Sequence, residues 1–485
     1  MPVNVFPTGV EYFRILPEII LTIAGVIVMF MEAVFTNEDQ RKIFGPFSIV
    51  ALLAALVASI SASGDPGAAF SNMLIIDGFA SFFRVLVIGV GVLAILGSTE
   101  YLRREKSSGG EFYALILFSI VGQCVMVTAN ELIMIFIGLE ISSIASYVLA
   151  GYLRDDARNN ESALKYFLLG SFATAFLLYG ISWIYGLTGS TNLDHIRSAL
   201  QTSTPPLALA GAAAALMFVG FGFKISAAPF QVWAPDVYQG APAPVSGYLS
   251  VGPKAAAFAI LLRVFMTAFG PIASRWEPIV WVCALATMIV GNFAAIQQTN
   301  IKRMLAYSSI AHAGYVLVAV TAHSDVGSAA AMFYLAGYAF TNLGAFAVVT
   351  YLSRRGERYV AIDDFAGLSQ RQPAMAAMLA IFLLSLIGTP LTAGFFGKFY
   401  IFKAALDANL VWLTVLGLLS SAVAAYYYLR VLVVMYFKDP GDSVEDLTAP
   451  GIGLKIAVYA SALGTLILGI FPAWVLDIAT RAALK

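Results

Sequence analysis

The sequence predicts an all-α, polytopic membrane protein, and three observations point to it. Hydrophobic residues fill 60% of the 485 positions and charged ones only 12%, too little charge to cover a water-facing surface. The apolar residues gather into runs about 20 long, the length a helix needs to cross a bilayer core of about 30 Å. Glycine and proline interrupt some of these runs without separating them, which suggests broken helices around a polar interior.

In chain order, the expected spans are 13–34, 45–63, 74–97, 111–128, 131–152, 161–187, 206–227, 245–268, 276–297, 304–322, 327–352, 374–404, 410–437 and 453–477, about fourteen helices. The opening stretch MPVNVFPTGVEYFRILPEI has no positive region before its first apolar run, so no cleavable signal is expected and the first helix stays. Between Phe230 and Val245, Pro235, Pro242 and Pro244 are expected to exclude helix and leave a structured, non-helical connection. Basic residues crowd the loops after odd-numbered spans, among them Arg41, Arg103, Arg154, Lys302, Arg303, Arg354 and Lys438. Only Arg197 and Arg275 follow even-numbered ones before the C-terminus. The positive-inside bias then puts both termini outside the cytoplasm.

An internal repeat is visible. SSIASYVLA from Ser142 returns as SSIAHAGYVLVA from Ser308, and YFLLG at Tyr166 returns as FYLAG at Phe333, offsets of 166 and 167 residues. The matching spans are the fifth with the tenth and the sixth with the eleventh, and an odd number of crossings inverts the copy. The expected organisation is an N-terminal part (1–110, three helices), a first five-helix repeat (111–268), a second, inverted repeat (276–437) and a C-terminal helix (438–485). Inverted repeats with broken helices are typical of transporters that hold ion sites near mid-membrane.

Several function classes drop out. The formal net charge is zero, so no basic excess points to nucleic acid. Cys124 and Cys283 lie far apart inside apolar runs and read as small core residues. There is no cysteine cluster, no GxGxxG leading a helix and no P-loop. Whatever drives ion movement is therefore expected from elsewhere.

The charges inside spans carry the chemistry. Glu140, Lys224, Lys254, Arg263 and Lys398 sit well within predicted helices, where a charge costs roughly 2.5–3.5 kcal/mol even on lenient scales. A lysine can escape that cost by snorkelling, and Lys165, four residues after Glu161 at a helix start, fits that reading. Lys398, in GFFGKFY after Gly388-Thr389-Pro390, has long apolar flanks and fits it less well. Lys224 likewise follows Gly220 and Gly222 and precedes Pro229, and both lysines read as cavity residues. Glu140 is the only deep carboxylate of the first repeat and the natural partner of Lys224, either as a static ion pair or as a switchable one. The repeat puts Ala306 opposite Glu140, so Lys398 has no matching glutamate. Lys254, after Gly252-Pro253, is placed to pass protons from Lys224 toward the second repeat. Arg263, nine residues on, points to the opposite face and is expected to pack or pair. His312 is the only histidine deep in a span, a structural hydrogen-bonder or a proton relay, and it leaves no pair for a bis-histidine haem.

GFGFKISAAPFQVWAPDVYQGAPAPVSGYLSVGPKAAAF, NIKRMLAYSSIAHAGY and GTPLTAGFFGKFYIF closely resemble the antiporter-like membrane subunits of proton-pumping NADH:quinone oxidoreductase, respiratory complex I. The resemblance covers nearly the whole chain, and ESALKYFLLGSFATAFLLYGISWIYGLTGSTNL is most similar to the subunit N group. It implies that Glu140 and Lys224 match the family's ion pair, Lys254 its bridging lysine and Lys398 its exit-side lysine. It implies no cofactor in this chain, with FMN, iron–sulfur clusters and quinone in partner subunits. The implied partners are the other antiporter-like and small membrane subunits of that complex together with the lipid bilayer, and the implied site is a bacterial cell inner membrane. Gln231 departs from the pattern, since many relatives have histidine there, and glutamine cannot titrate. Subunit M of the same complex and the large subunits of multi-subunit sodium/proton antiporters are the alternative resemblances.

Overall fold

The computed structural model describes residues 7–35, 37–107, 109–202, 206–445 and 447–484, and it is helical nearly throughout. Eleven helices lead in chain order: α1 (Leu16–Val34), α2 (Phe44–Ala62), α3 (Gly78–Arg104), α4 (Gly110–Thr128), α5 (Leu132–Ala150), α6 (Ala157–Thr188), α7 (Leu207–Ile225), α8 (Ala243–Arg263), α9 (Ala273–Ile296), α10 (Ile301–Thr321) and α11 (Asp325–Leu352). The twelfth, α12, runs as Pro373–Ile387 and, after a break, Ala393–Asp407; α13 (Val411–Phe437) and α14 (Ile452–Ile470) complete the set. Among the described residues thirteen helices are long and apolar enough to cross a membrane. The difference from fourteen is α12: the expected span 374–404 is two pieces of 15 residues each, because Gly388 adopts φ +96° and Pro390 follows.

The expected non-helical connection before Val245 is corrected as well. Trp233–Gly240 is a short α-helix that follows a single turn of 3-10 helix at Phe230–Val232. Its Pro235 lies in the first turn, where the missing N–H leaves no bond unmade, and Pro242 and Pro244 occupy the N-cap and second position of α8. Only Pro253 stands inside α8, one residue before Lys254.

Burial separates centre from rim. In α8 and α10, 94% of the apolar window is buried, against 33% in α1 and α6. Small residues bring the helices close, as is usual where packing rather than water drives association. A Cβ on Gly122 of α4 would meet the Ser142 amide nitrogen of α5 at 2.5 Å, and one on Gly291 of α9 would meet the Ala311 amide nitrogen of α10 at the same distance. The loops repeat the spacing. Leu132 N–H donates to the Thr191 carbonyl (2.9 Å) and Leu193 N–H to that of Asn130 (3.0 Å). In turn, Ile301 N–H donates to the Val360 carbonyl (2.8 Å) and Ile362 N–H to that of Thr299 (2.7 Å). A short antiparallel hairpin, β1 (Gly67–Ala69) and β2 (Leu74–Ile76), lies between α2 and α3.

Candidate functional site

The three lysines expected inside the membrane are all buried, with Lys224 8%, Lys254 2% and Lys398 7% exposed. Each is held in a different way. Lys224 stands in the last turn of α7, where the helix ends at left-handed Ser226. Its one hydrogen bond described is to the Tyr147 hydroxyl of α5, at 3.5 Å. The rings of Tyr147, Tyr166 and Phe223 surround it with centroids 5.0, 5.2 and 5.7 Å from Nζ.

Glu140 does not touch Lys224, and no carboxylate oxygen lies within 4.0 Å of that ammonium among the described residues. Tyr147, whose hydroxyl Lys224 contacts, follows Glu140 by seven residues on the same face of α5. Glu140 Oε1 is buried without a partner. The expected direct ion pair is therefore not formed among the described residues, and a tyrosine hydroxyl is the lysine's contact.

Lys254, on α8, donates to both the carbonyl (3.1 Å) and the hydroxyl (2.5 Å) of Ser309 on α10. It therefore reaches from the first expected repeat into the second. Lys224 and Lys254 share no hydrogen-bond partner. One turn along α10, His312 bonds through Nδ1 to the Tyr334 hydroxyl of α11 (2.5 Å) and through Nε2 to the Tyr428 hydroxyl of α13 (3.2 Å). Tyr428 in turn bonds Ser308, the neighbour of Lys254's acceptor. Along α10, His312 lies between Ser309, which holds Lys254, and Tyr315, whose ring is 5.6 Å from that of His312 and faces Lys398.

Lys398 answers the break in α12. Its ammonium takes the carbonyls of Leu386 (2.9 Å) and Ile387 (2.8 Å), the two that end the first half-helix, and the Ser421 hydroxyl of α13 (2.7 Å). The Tyr315 ring lies 4.9 Å beneath it, with its hydroxyl held by Asn292 at 3.1 Å. A cation at a helix C-terminus complements the local dipole by about 0.3–1 kcal/mol at the surface and up to ~2 when partly buried. No carboxylate is needed there; at the spacing of the recurring backbone contacts, Ser309 rather than the expected Ala306 stands opposite Glu140.

The other expectations sort cleanly. Arg263 forms a two-pronged pair with Asp77 at the start of α3, both bonds 2.9 Å, on the far face from Lys254. Lys165 pairs with Glu161 (2.8 Å) and also with Asp236 (2.8 Å), which Arg303 binds as well (2.6 Å). Gln231 Oε1 is buried without a partner. Cys124 and Cys283 are free and buried, and among the described residues no three or more of His, Cys, Asp and Glu group as metal ligands.

Two buried pairs escaped the sequence reading. Arg84 of α3 donates twice to Glu18 of α1, at 3.0 and 2.6 Å, and the isolated charge of Arg84 in the run 74–97 is the signal that points to it. Lys302, read as a loop residue, is instead fully buried in the first turn of α10 and pairs with Glu357 at 2.5 Å. Glu357 also accepts from the Tyr101 hydroxyl of α3 (2.8 Å) and from Ala243 N–H at the start of α8 (2.6 Å).

Comparison with known proteins gives a consistent picture. Residues 129–424 match the family model described as "NADH:quinone oxidoreductase/Mrp antiporter, TM". The chain is 63% identical over 483 residues to NADH-quinone oxidoreductase subunit N 1 of Solibacter usitatus, covering 100% of this chain and 99% of that one. It is 43% identical over 474 residues to subunit N of Paramagnetospirillum magneticum, covering 97% and 96%. Among solved structures, a chain of respiratory complex I from Thermus thermophilus with bound aureothin superposes with a TM-score of 0.82 at 32% identity, covering 96% of this chain and 100% of that one. A chain of the Mrp complex from Dietzia sp. reaches 0.85 at 19% identity, covering 98% and 97%, a likeness of fold alone.

Proposed function

The chain belongs to the NADH-quinone oxidoreductase subunit N family, and from that premise we propose that it moves protons across the membrane through Lys224, Lys254 and Lys398, with Glu140 and His312 assisting. It is a multi-pass membrane subunit of an NADH-quinone oxidoreductase, and its partners are the other subunits of that complex. The redox steps, with FMN, iron–sulfur clusters and quinone, belong to partner subunits and supply the energy. The membrane is the bacterial inner membrane, with both termini on its outer side.

The observation that carries this reading is the hold on Lys254. A buried ammonium bonded only to a serine carbonyl and hydroxyl has no fixed counter-charge, so neutral and protonated forms can exchange at modest cost. Ser309 and Ser308 then lead within one turn to His312, whose ring neighbours that of Tyr315, the ring beneath Lys398. On the other side, Lys224 contacts Tyr147, which shares a face of α5 with Glu140. Two inverted units, 111–268 and 276–437, are supported by the close glycine contacts and loop bonds that recur at one spacing. The test is NADH-driven acidification of proteoliposomes holding the assembled complex with Lys254→Ala. Loss of most of the acidification is expected; a rate equal to wild type sinks the proposal.

A further inference from the structure

Lys224 has a surrounding that the proton route does not require. An ammonium has three donors, and this one makes a single long hydrogen bond, to Tyr147. Three ring centroids nevertheless lie within 6 Å of Nζ, supplied by α5 (Tyr147), α6 (Tyr166) and α7 (Phe223). The face of an aromatic ring carries negative potential, and its attraction for a cation grows where water is removed.

The rings are fixed. The indole of Trp233 stacks on Tyr166 at 4.4 Å and 5°, and on Phe223 at 5.1 Å and 28°. Its N–H donates to the Phe223 carbonyl at 2.9 Å, so the plate cannot slide. Tyr147 meets Tyr166 edge to face, 4.6 Å and 88°. Gly170 of α6 leaves room for the Tyr147 hydroxyl, which any Cβ there would strike. Trp233 heads the short helix Trp233–Gly240, so the walls come from both sides of the break after α7.

We infer that Tyr166 and Phe223, backed by Trp233, form an aromatic box that stabilises the ammonium form of Lys224, as positioning residues that act through cation–π attraction. This rests on the reading of Lys224 as a proton carrier. The rings hold the charge in place with no ion pair to break.

Phenylalanine replaces Tyr166 (Tyr166→Phe), then its mono-, di- and trifluorinated forms, which withdraw the ring's negative face at nearly constant size. The same fluorinated series goes in at Phe223, which has no hydroxyl to lose. Phe172, 67% exposed and away from Lys224, serves as control. Proton translocation is measured in the co-purified, assembled complex beside Lys224→Met. The expected result is a stepwise loss of pumping with each fluorine at 166 and 223 and none at 172. If Lys224→Met abolishes pumping while both series pump alike, the rings only pack and the box is overturned. If Lys224→Met itself pumps normally, the carrier reading fails and takes the box with it. Should Tyr166→Phe not assemble, the Phe223 series alone decides.

Discussion

At the scale of single residues, the buried lysines were legible because an ammonium in an apolar run stands out by contrast. Their partners were not, since carbonyls, hydroxyls and ring faces come from other helices and leave no mark beside the lysine in sequence. Lys398 illustrates both. Lys398→Ala removes the only deep cation of α12, so the assembled complex is expected to lose most NADH-driven acidification; an unchanged rate makes Lys398 a structural cap of the half-helix. Glu140 gives the sharper test, because it makes no direct contact with Lys224. Glu140→Gln removes the charge and keeps the shape, and turnover is expected to fall. Ser143 is buried one turn on, its hydroxyl on the Leu139 carbonyl at 2.5 Å, near the face that carries Tyr147. Adding Ser143→Glu to Glu140→Gln returns a carboxylate to that face, and partial recovery of quinone-linked translocation is expected, as charge works over distance. Absence of recovery in an assembled double mutant argues for a local role of Glu140.

At the scale of elements, long spans were readable from length and hydropathy, whereas proline was over-read. Three prolines in QVWAPDVYQGAPAP looked like helix breakers, yet they stand at a first turn, an N-cap and a second position, where proline is compatible with helix. The break in α12 was readable from Gly388-Thr389-Pro390, though not the way Lys398 closes it. Gly388 is at φ +96° and a Cβ there would come within 3.2 Å of Lys398 Cδ. Gly388→Ala therefore costs about 1–2 kcal/mol in backbone strain and pushes the lysine from its carbonyls. A lower melting temperature of the purified complex together with reduced pumping is expected, and normal values for both would show that the break tolerates a side chain. The pair between α1 and α3 behaves differently. Arg84→Met leaves Glu18 buried and unpaired, at a cost of about 3–5 kcal/mol, while Arg84→Met with Glu18→Gln recovers part of it. Thermal unfolding of the two variants checks the order, and equal melting would exclude a mutual dependence.

At the scale of the whole molecule, the proposed repeat was readable only as two short words, since apolar helices tolerate many substitutions and lose their likeness quickly. Backbone contacts keep it better: the link from the start of α5 to the loop after α6 recurs between the start of α10 and the loop after α11. Between those two places the chain crosses the membrane an odd number of times, so the two links belong on opposite sides. Charge agrees with this, because Arg354, Arg355 and Arg358 lie beside the second link and only Arg197 lies near the first. His195 and Ala361 are both exposed in these loops, and the native Cys124 and Cys283 are buried, so single cysteines can report the sidedness. A membrane-impermeant maleimide is expected to label His195→Cys in intact spheroplasts and Ala361→Cys only in inverted vesicles. Reporters fused to either terminus should score with His195→Cys. Labelling of both cysteines from one side would remove the inversion and, with it, the placement of Lys224 and Lys398 as counterparts in two oppositely oriented units.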